Sequence, residues 1–170
     1  GNGGNGDVPA GTPDINDGEF HHIVLVSDPE NDEVRLYSDG ELSSTGNAPA
    51  IQSNENPMMI GENPDARNRT WSGIIDDVGI WNRPLTEGEI TDLSGNSIGN
   101  LMGVGPLVPG LIAYWDFDNV DNIVDLVQGL PGEVQGEVAT AEGKLGGAVD
   151  LGEAQNWIKV DAEETGWLEP

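Results

Sequence analysis

The sequence predicts an all-β protein built from antiparallel strands. Two β-rich runs, residues 21–27 (HHIVLVS) and 33–38 (EVRLYS), flank a turn-forming cluster at 28–32, and this arrangement indicates a hairpin. An Asp-Gly pair at 39–40 follows, and this dipeptide is the strongest short-range hairpin signal. A third apolar run, residues 71–81, predicts a further strand, because its apolar residues are clustered rather than diluted.

Composition indicates a folded, acidic domain and excludes several partners. The chain has 170 residues, with 31 Asp and Glu against 6 Lys and Arg, and a formal net charge of -25. Such a charge repels nucleic acid and anionic membrane surfaces, so we expect neither as a partner. No apolar run approaches the roughly 20 residues of a membrane helix, so no membrane insertion is expected.

Cysteine is absent from the chain, which argues against a disulfide scaffold and against a zinc site with cysteine ligands. The chain starts with GNGGNG rather than Met and carries no signal peptide. We therefore expect the sequence to be a fragment of a longer protein.

Two adjacent aspartates, Asp76 and Asp77, lie inside the apolar run at 71–81. Along one extended strand, period-two alternation would place Asp76 on the same face as Val78 and Ile80, with Asp77 on the other face. Either way, one carboxylate points into an apolar layer, where it needs hydrogen bonds, a counter-charge or a metal. Since the chain has few cations, a metal or backbone donors are the expected partners.

Beyond residue 92 the composition changes twice. Residues 93–109 interleave Gly, Asn, Ser and Pro, which is typical of a linker. An apolar segment at 110–118 (GLIAYWDFD) follows, then EGKLGGAVD at 142–150 and WIKV at 157–160. The predicted organisation is thus one β-rich segment over 1–92, a linker, and a second β-rich segment over 110–170.

Both segments resemble laminin-G-like domains of the concanavalin A-like lectin/glucanase superfamily, which are antiparallel jelly-roll β-sandwiches. The block from Phe20 to Leu42 resembles a hairpin of the second half of that domain. Residues 71–90 resemble the closing strand of the family. The residues that carry this resemblance are Trp71, Gly73, Ile75-Asp76-Asp77-Val78, Ile80-Trp81-Asn82-Arg83, Pro84-Leu85-Thr86 and Glu89-Ile90. Residues 110–118, 142–150 and 157–160 resemble the opening strands.

The resemblance therefore runs back half first and front half second. Two explanations stay open at this point. The chain either spans the end of one jelly roll and the start of the next, or its halves fold on each other as a permuted composite. Half a sandwich would expose an apolar face and unpaired edges, so we expect the halves to pair, within one chain or by strand exchange between copies.

The resemblance also implies a calcium ion, because several members of the family bind one where the first and last strands meet. Calcium takes six to eight oxygen ligands, so carboxylates would be joined by carbonyls and water. The candidate metal ligands are Asp76, Asp77, Asp116, Asp118 and Asp125.

The tryptophans allow a glycan-binding interpretation, since sugar rings stack on exposed aromatic faces. Trp71, Trp81, Trp115 and Trp157 lie at alternating apolar positions, where we expect core packing. Trp167 lies in polar surroundings and is the candidate ligand platform.

Catalysis is not expected. The glucanases of this fold carry their acids on one strand as E-x-D-x-x-E, and this chain has no such strand. We expect a non-catalytic, calcium-stabilised jelly-roll module, extracellular or on the cell surface, that binds glycans or a cell-surface protein. The alternative is a purely structural repeat of an adhesive or cell-envelope protein, with no ligand of its own.

Overall fold

The computed structural model describes residues 15–47, 57–63, 69–101, 109–152 and 155–161. Antiparallel strands dominate them, which confirms the predicted all-β class. The strands are β1 Ile23–Asp28, β2 Glu33–Ser38, β3 Glu41–Gly46, β4 Met58–Ile60, β5 Ile74–Ile75, β6 Val78–Trp81, β7 Leu111–Trp115, β8 Glu133–Gln135, β9 Ala139–Glu142, β10 Gly147–Asp150 and β11 Trp157–Val160. The helices are α1 Glu87–Ser94 and α2 Ile98–Leu101. Neither described helix has the length and apolar character needed to cross a membrane.

The described residues form two compact units, and the first is drawn from Gly1–Gln52 and Arg83–Val108. Its sheet has the order β1-β2-β3, with Leu25 opposite Leu36 across the first pair. The predicted Asp-Gly turn joins β2 to β3, with φ at +53° for Asp39 and +84° for Gly40. Positive φ at both positions matches the right-handed twist of the strands, which explains why this dipeptide stands there.

Helix α1 begins with a capping box. The Thr86 hydroxyl accepts from the Glu89 backbone N–H, and the Glu89 carboxylate accepts from the Thr86 N–H at 2.8 Å. Arg83 also donates two hydrogen bonds to that carboxylate, at 2.6 and 3.0 Å. The Arg83 guanidinium, then the Thr86 donors, lower the pKa of Glu89 to about 2 against the opposing effect of burial.

The second unit is drawn from Ser53–Asn82 and Pro109–Pro170. Its strands form sheets of order β5-β10-β9 and β4-β11-β8, and the pair β6-β7. All of these pairings are antiparallel. Strands from before and after residues 93–109 therefore pair with each other in one chain.

The core of the second unit contains apolar residues from all three of these sheets. Its fully or nearly fully buried members come from β4, β7, β10, β11 and the turns after them: Ile60, Ala113, Trp115, Phe117, Ile123, Val149, Leu151, Ile158 and Val160. Ile75 of β5 and Val78 of β6 pack against this cluster. The sheets thus share one core, in which buried apolar surface is the main stabilising term.

The prediction of one continuous strand over 71–81 is wrong. The strand is interrupted at Asp76 and Asp77, where Asp77 has a φ of +46°. Before the interruption β5 pairs with β10, and after it β6 pairs with β7. The chain thus changes sheets at this point. Asp76 therefore does not share one strand face with Val78 and Ile80, as period-two alternation had predicted. Aspartate is one of the few residues that adopt this left-handed conformation readily.

The segment 93–109 was predicted to be a linker. It contains the end of α1 and the short helix α2, and residues 102–108 lie outside the described part. The division into two half-domains remains a prediction.

His21 links two carboxylates in the first unit. Its Nδ1 lies 2.9 Å from Asp39 Oδ2, and its Nε2 lies 3.1 Å from Asp17 Oδ1. A neutral imidazole can donate from one nitrogen only, so both hydrogen bonds require the protonated ring. The hydrogen bond to Asp39, then that to Asp17, raises the pKa of His21, whereas burial lowers the pKa of neighbouring His22.

We predict that Glu89→Gln destabilises the first unit at neutral pH. The substitution removes the Arg83 ion pair, and charge-assisted hydrogen bonds of this kind contribute about 1–3 kcal/mol. Hydrogen exchange of the buried Ile90 and Leu93 amides should report the lower opening free energy. The matched control is Glu87→Gln, which removes an exposed first-turn carboxylate.

The pH dependence gives a second arm of that test. The folded-state pKa of Glu89 lies below its ordinary value of 4.5. The stability that the ionised Glu89 contributes to the first unit is therefore complete above pH 4.5 and is lost as pH falls towards about 2. The wild-type chain should lose protection over this interval, and Glu89→Gln should lose less. Equal pH profiles for the two proteins would contradict the assignment.

For His21 we predict a titration in NMR at higher pH than that of His22. Because the folded-state pKa of His21 is raised, the stability that protonated His21 contributes to the fold is complete below about pH 6.5. It is lost as pH rises through the raised pKa. Asp39→Asn should lower the pKa of His21, and Asp28→Asn should leave it unchanged. A lower pKa for His21 than for His22 would contradict the hydrogen bonds of His21 to Asp39 and Asp17.

Candidate functional site

The Asp76 carboxylate binds a turn far away in the sequence. Its Oδ2 accepts hydrogen bonds from the backbone N–H groups of Lys144, at 2.8 Å, and Leu145, at 3.2 Å. These two residues form the tip of the turn that joins β9 to β10, which is closed by a 2.9 Å hydrogen bond from Gly143 N to Gly146 O. Asp76 therefore holds this hairpin at the point where the chain leaves β5.

The turn approaches Asp76 so closely that Gly143 cannot be replaced without a shift. A Cβ at this position would lie 2.7 Å from Asp76 Oδ2 and 2.6 Å from the carbonyl oxygen of Gly147. Both distances are below ordinary contact. The glycines of EGKLGGAVD are thus explained by carboxylate binding as much as by turn formation.

Asp118 holds the other side of the same turn. Its Oδ1 accepts from Gly147 N at 2.5 Å and would lie 2.6 Å from a Cβ at Gly146, whose φ is +105°. Asp118 follows β7, whereas Asp76 follows β5. Two of the predicted ligand residues are therefore brought to one turn, where they accept backbone hydrogen bonds.

The second carboxylate oxygen of Asp76 differs from the first in its hydrogen bonding. Asp76 Oδ1 is buried and has no hydrogen-bond partner among the described residues. Burial raises the pKa of Asp76, and the charge of Asp77 adds to this effect, although the amides of Leu145 and Lys144 oppose it. A bound cation or a proton would satisfy this oxygen.

Tyr114 of β7 donates hydrogen bonds to both Asp77 and Asp125. The Tyr114 hydroxyl donates to Asp77 Oδ1 at 2.5 Å, and the Tyr114 backbone N–H donates to Asp125 Oδ1 at 2.7 Å. Asp125 is fully buried and also accepts from Val127 N at 3.0 Å and Gln128 N at 2.7 Å. Its buried side chain thus accepts from three amide donors, which anchor the turn after it to β7.

Asp116, the remaining predicted ligand, accepts from Asp118 N at 3.2 Å in the turn that follows β7. Four of the five carboxylates thus hold three turns, and that of Asp77 accepts from the Tyr114 side chain of β7. Within the described ranges, no three His, Asp or Glu side chains are grouped as they would be around a metal ion.

The tryptophans do not all lie where they were expected. Trp115 is fully buried in the core, as predicted, but the prediction for Trp71 is wrong, because it is 44% exposed. Its backbone N–H donates to Gly61 O at 2.7 Å, which holds Trp71 in the segment before β5 rather than within a sheet. Trp81 and Trp157 are partly exposed. Trp167 lies outside the described residues.

Sequence reasoning missed two parts of this arrangement. It identified the aspartates but not the amides of Lys144 and Leu145 as their partners, although the glycine-rich turn was a signal for close backbone approach. It also assigned Trp71 to the core from apolar alternation, which does not hold before β5 begins.

Comparison with known proteins gives one family and one curated relative. The Laminin_G_3 family, of the concanavalin A-like lectin/glucanases superfamily, matches residues 1–91. The sushi, von Willebrand factor type A, EGF and pentraxin domain-containing protein 1 of Rattus norvegicus is 24% identical over 113 residues. That alignment covers 58% of this chain, and the chain spans about 3% of the length of the rat protein. No solved structure matches the chain.

The family match and the antiparallel sheets around a shared core agree on the fold class. They confirm the predicted concanavalin A-like β-sandwich. Because the match covers more than half of the sequence, the chain belongs to the Laminin_G_3 family of the concanavalin A-like lectin/glucanase superfamily.

Proposed function

We propose that this chain is a non-catalytic, extracellular sandwich module that binds glycans on a surface partner. The use of the carboxylates supports the non-catalytic part of this proposal, and the exposed Trp71 side chain supports the glycan-binding part. Asp76, Asp118 and Asp125 accept backbone hydrogen bonds that hold turns together. Glycoside hydrolysis instead needs two carboxyl groups facing each other across a cleft, about 5–9 Å apart. Family membership and the multidomain rat relative support an adhesion-type role.

Trp71 is the described aromatic side chain best suited to a sugar. It is 44% exposed, and it lies between polar neighbours, with Thr70 before it and Ser72 after it. An exposed indole face provides a stacking surface, and nearby polar groups can hydrogen-bond to hydroxyls. Trp71 therefore joins Trp167 as a candidate ligand platform.

Calcium is the proposed stabilising ion, and Asp76 Oδ1 is its proposed anchor. Among the described carboxylate oxygens, this oxygen is the buried one without a hydrogen-bond partner, and a cation would supply one. Asp76 Oδ2 is already bound to two amides, so one protein carboxylate oxygen would be joined by carbonyls and water. A site with so few charged ligands should be weak, with a dissociation constant on the order of 10⁻⁴–10⁻³ M, as in extracellular modules.

We also propose that β4, β5 and β6 of the first segment belong to one permuted sandwich with the strands of the second segment. The pairing of β6 with β7 and of β5 with β10 supports this. The second candidate function, a structural repeat without a ligand, is favoured by the same turn-holding aspartates, since these need no ligand to act.

Binding of glycans separates the two candidate functions. On a glycan array with calcium, the wild-type chain should bind a set of glycans, and Trp71→Ala should lose most of this binding. The matched control is Trp157→Phe, which changes a partly exposed tryptophan on β11. No binding by the wild-type chain, with or without EDTA, would reject the glycan proposal and favour the structural repeat.

Calcium and protons should compete for Asp76. Because burial raises the folded-state pKa of Asp76, folding favours its neutral carboxyl relative to the unfolded chain, and this contribution to stability is lost as pH rises through the raised pKa. Calcium should therefore raise the melting temperature at pH 7.5, and it should do so less at pH 4. In Asp76→Asn this calcium-dependent increase should disappear, whereas Asp121→Asn, at an exposed position, should retain it. A full calcium response in Asp76→Asn would contradict the proposed anchor.

A further inference from the structure

Strand β1 is an edge strand of the first unit's sheet as far as the described residues show. Among the described strands, it pairs with β2 alone. The Asp39 N–H donates to His22 O at 2.8 Å, which fixes the phase of the antiparallel ladder. Since hydrogen-bonded pairs alternate along such a ladder, the backbone N–H and C=O groups of Ile23, Leu25 and Ser27 point away from β2. Each of these residues can therefore pair with an added strand.

The same residues carry an exposed face. The side chain of Ile23 is 44% exposed and that of Leu25 is 60% exposed, whereas Val26 on the opposite face is 4% exposed. Natural edge strands are usually protected by Lys, Pro, a bulge or short length. In contrast, β1 is six residues long, contains neither Lys nor Pro, and pairs with β2 without a register shift. Both its backbone and its side chains are thus suited to strand addition.

The acidic residues around β1 favour a cationic partner. Residues 15–47 contain eight carboxylates and one guanidinium, that of Arg35. Asp28 ends β1, and Glu30, Asp32 and Glu33 continue the acidic run at that end. A second copy of this chain, with its own net charge of -25, is repelled from such an edge. A cationic segment is attracted to it.

We propose that β1 is a docking edge to which an extended, cationic peptide segment of a partner protein adds as a fourth strand. Apolar side chains at alternate positions of the added strand cover Ile23 and Leu25, and Lys or Arg at the remaining and flanking positions face Asp28 and the acidic turn. Backbone hydrogen bonds supply affinity, and the alternating pattern and charge supply specificity. This protein-binding surface goes beyond glycan binding and does not depend on calcium.

The probe is a capped seven-residue peptide of alternating Val and Lys or Arg, added to the full chain. Amide hydrogen exchange, read by NMR, should slow at Ile23, Leu25 and Ser27 by at least about tenfold, because these amides become hydrogen-bonded. Binding should weaken as salt is raised from about 50 to 300 mM, since the charges are exposed. A peptide with Glu in place of Lys and Arg should give no protection.

Variants separate the edge from general charge attraction. Leu25→Glu should weaken binding at least about tenfold, because it adds repulsive charge to the apolar face. Leu42→Glu adds the same charge at a similarly exposed leucine on β3, the other edge strand, and should have a much smaller effect. Ser27→Pro removes an edge N–H while leaving the β1–β2 ladder intact, and should also weaken binding.

Three results would overturn the proposal. These are equal protection by the acidic peptide, equal affinity of Leu25→Glu and wild type, and protection located away from β1. Concentration-dependent self-association that protects the same amides without peptide would identify a second copy as the occupant, and would likewise reject the cationic partner. None of these results bears on glycan binding at Trp71, so the two proposals fail separately.

Discussion

The pairing of the Asp76–Asp77 segment with the strands after residue 110 is the constraint on which the second unit depends. Strand β5 pairs with β10, and β6 pairs with β7. Through these pairings, Ile75 and Val78 reach a core whose main members, such as Trp115 and Val149, come from the later segment. Without them, the apolar face around Trp115 would lack part of its cover, and strand edges would be left open.

The change of sheet at Asp76 and Asp77 explains why two adjacent carboxylates lie in an apolar segment. Asp77 adopts the left-handed backbone conformation that turns the chain, and its carboxylate is bound by the Tyr114 hydroxyl. Asp76 binds the amides at the tip of the β9–β10 turn. The two carboxylates therefore act locally as connectors, and one oxygen of Asp76 remains for a cation or a proton.

Local signals in the sequence predicted local structure well. The bounds of β2 and the turn at Asp39-Gly40 follow from residue types and dihedral preferences alone. The capping box at Thr86 and Glu89 is an equally local signal, but no helix was predicted there. The break at Asp77 could not be predicted, since it depends on which distant strands β5 and β6 pair with. Backbone donors were among the expected partners of the Asp76–Asp77 pair, but the sequence could not predict which amides supply them, because that depends on how the β9–β10 turn folds onto Asp76.

The central claim is that β5 pairs with β10 within one chain. Ile74 lies opposite Asp150 in this pair, and the natural sequence has no cysteine. A double variant, Ile74→Cys with Asp150→Cys, should therefore form a disulfide under mild oxidation at low protein concentration, because cross-strand Cβ atoms lie about 4.5–5.5 Å apart. Ile74→Cys with Asp121→Cys is the unpaired control. The account predicts a monomer with an internal disulfide for the first variant and none for the control. A disulfide-linked dimer, or free thiols in both variants, would contradict it.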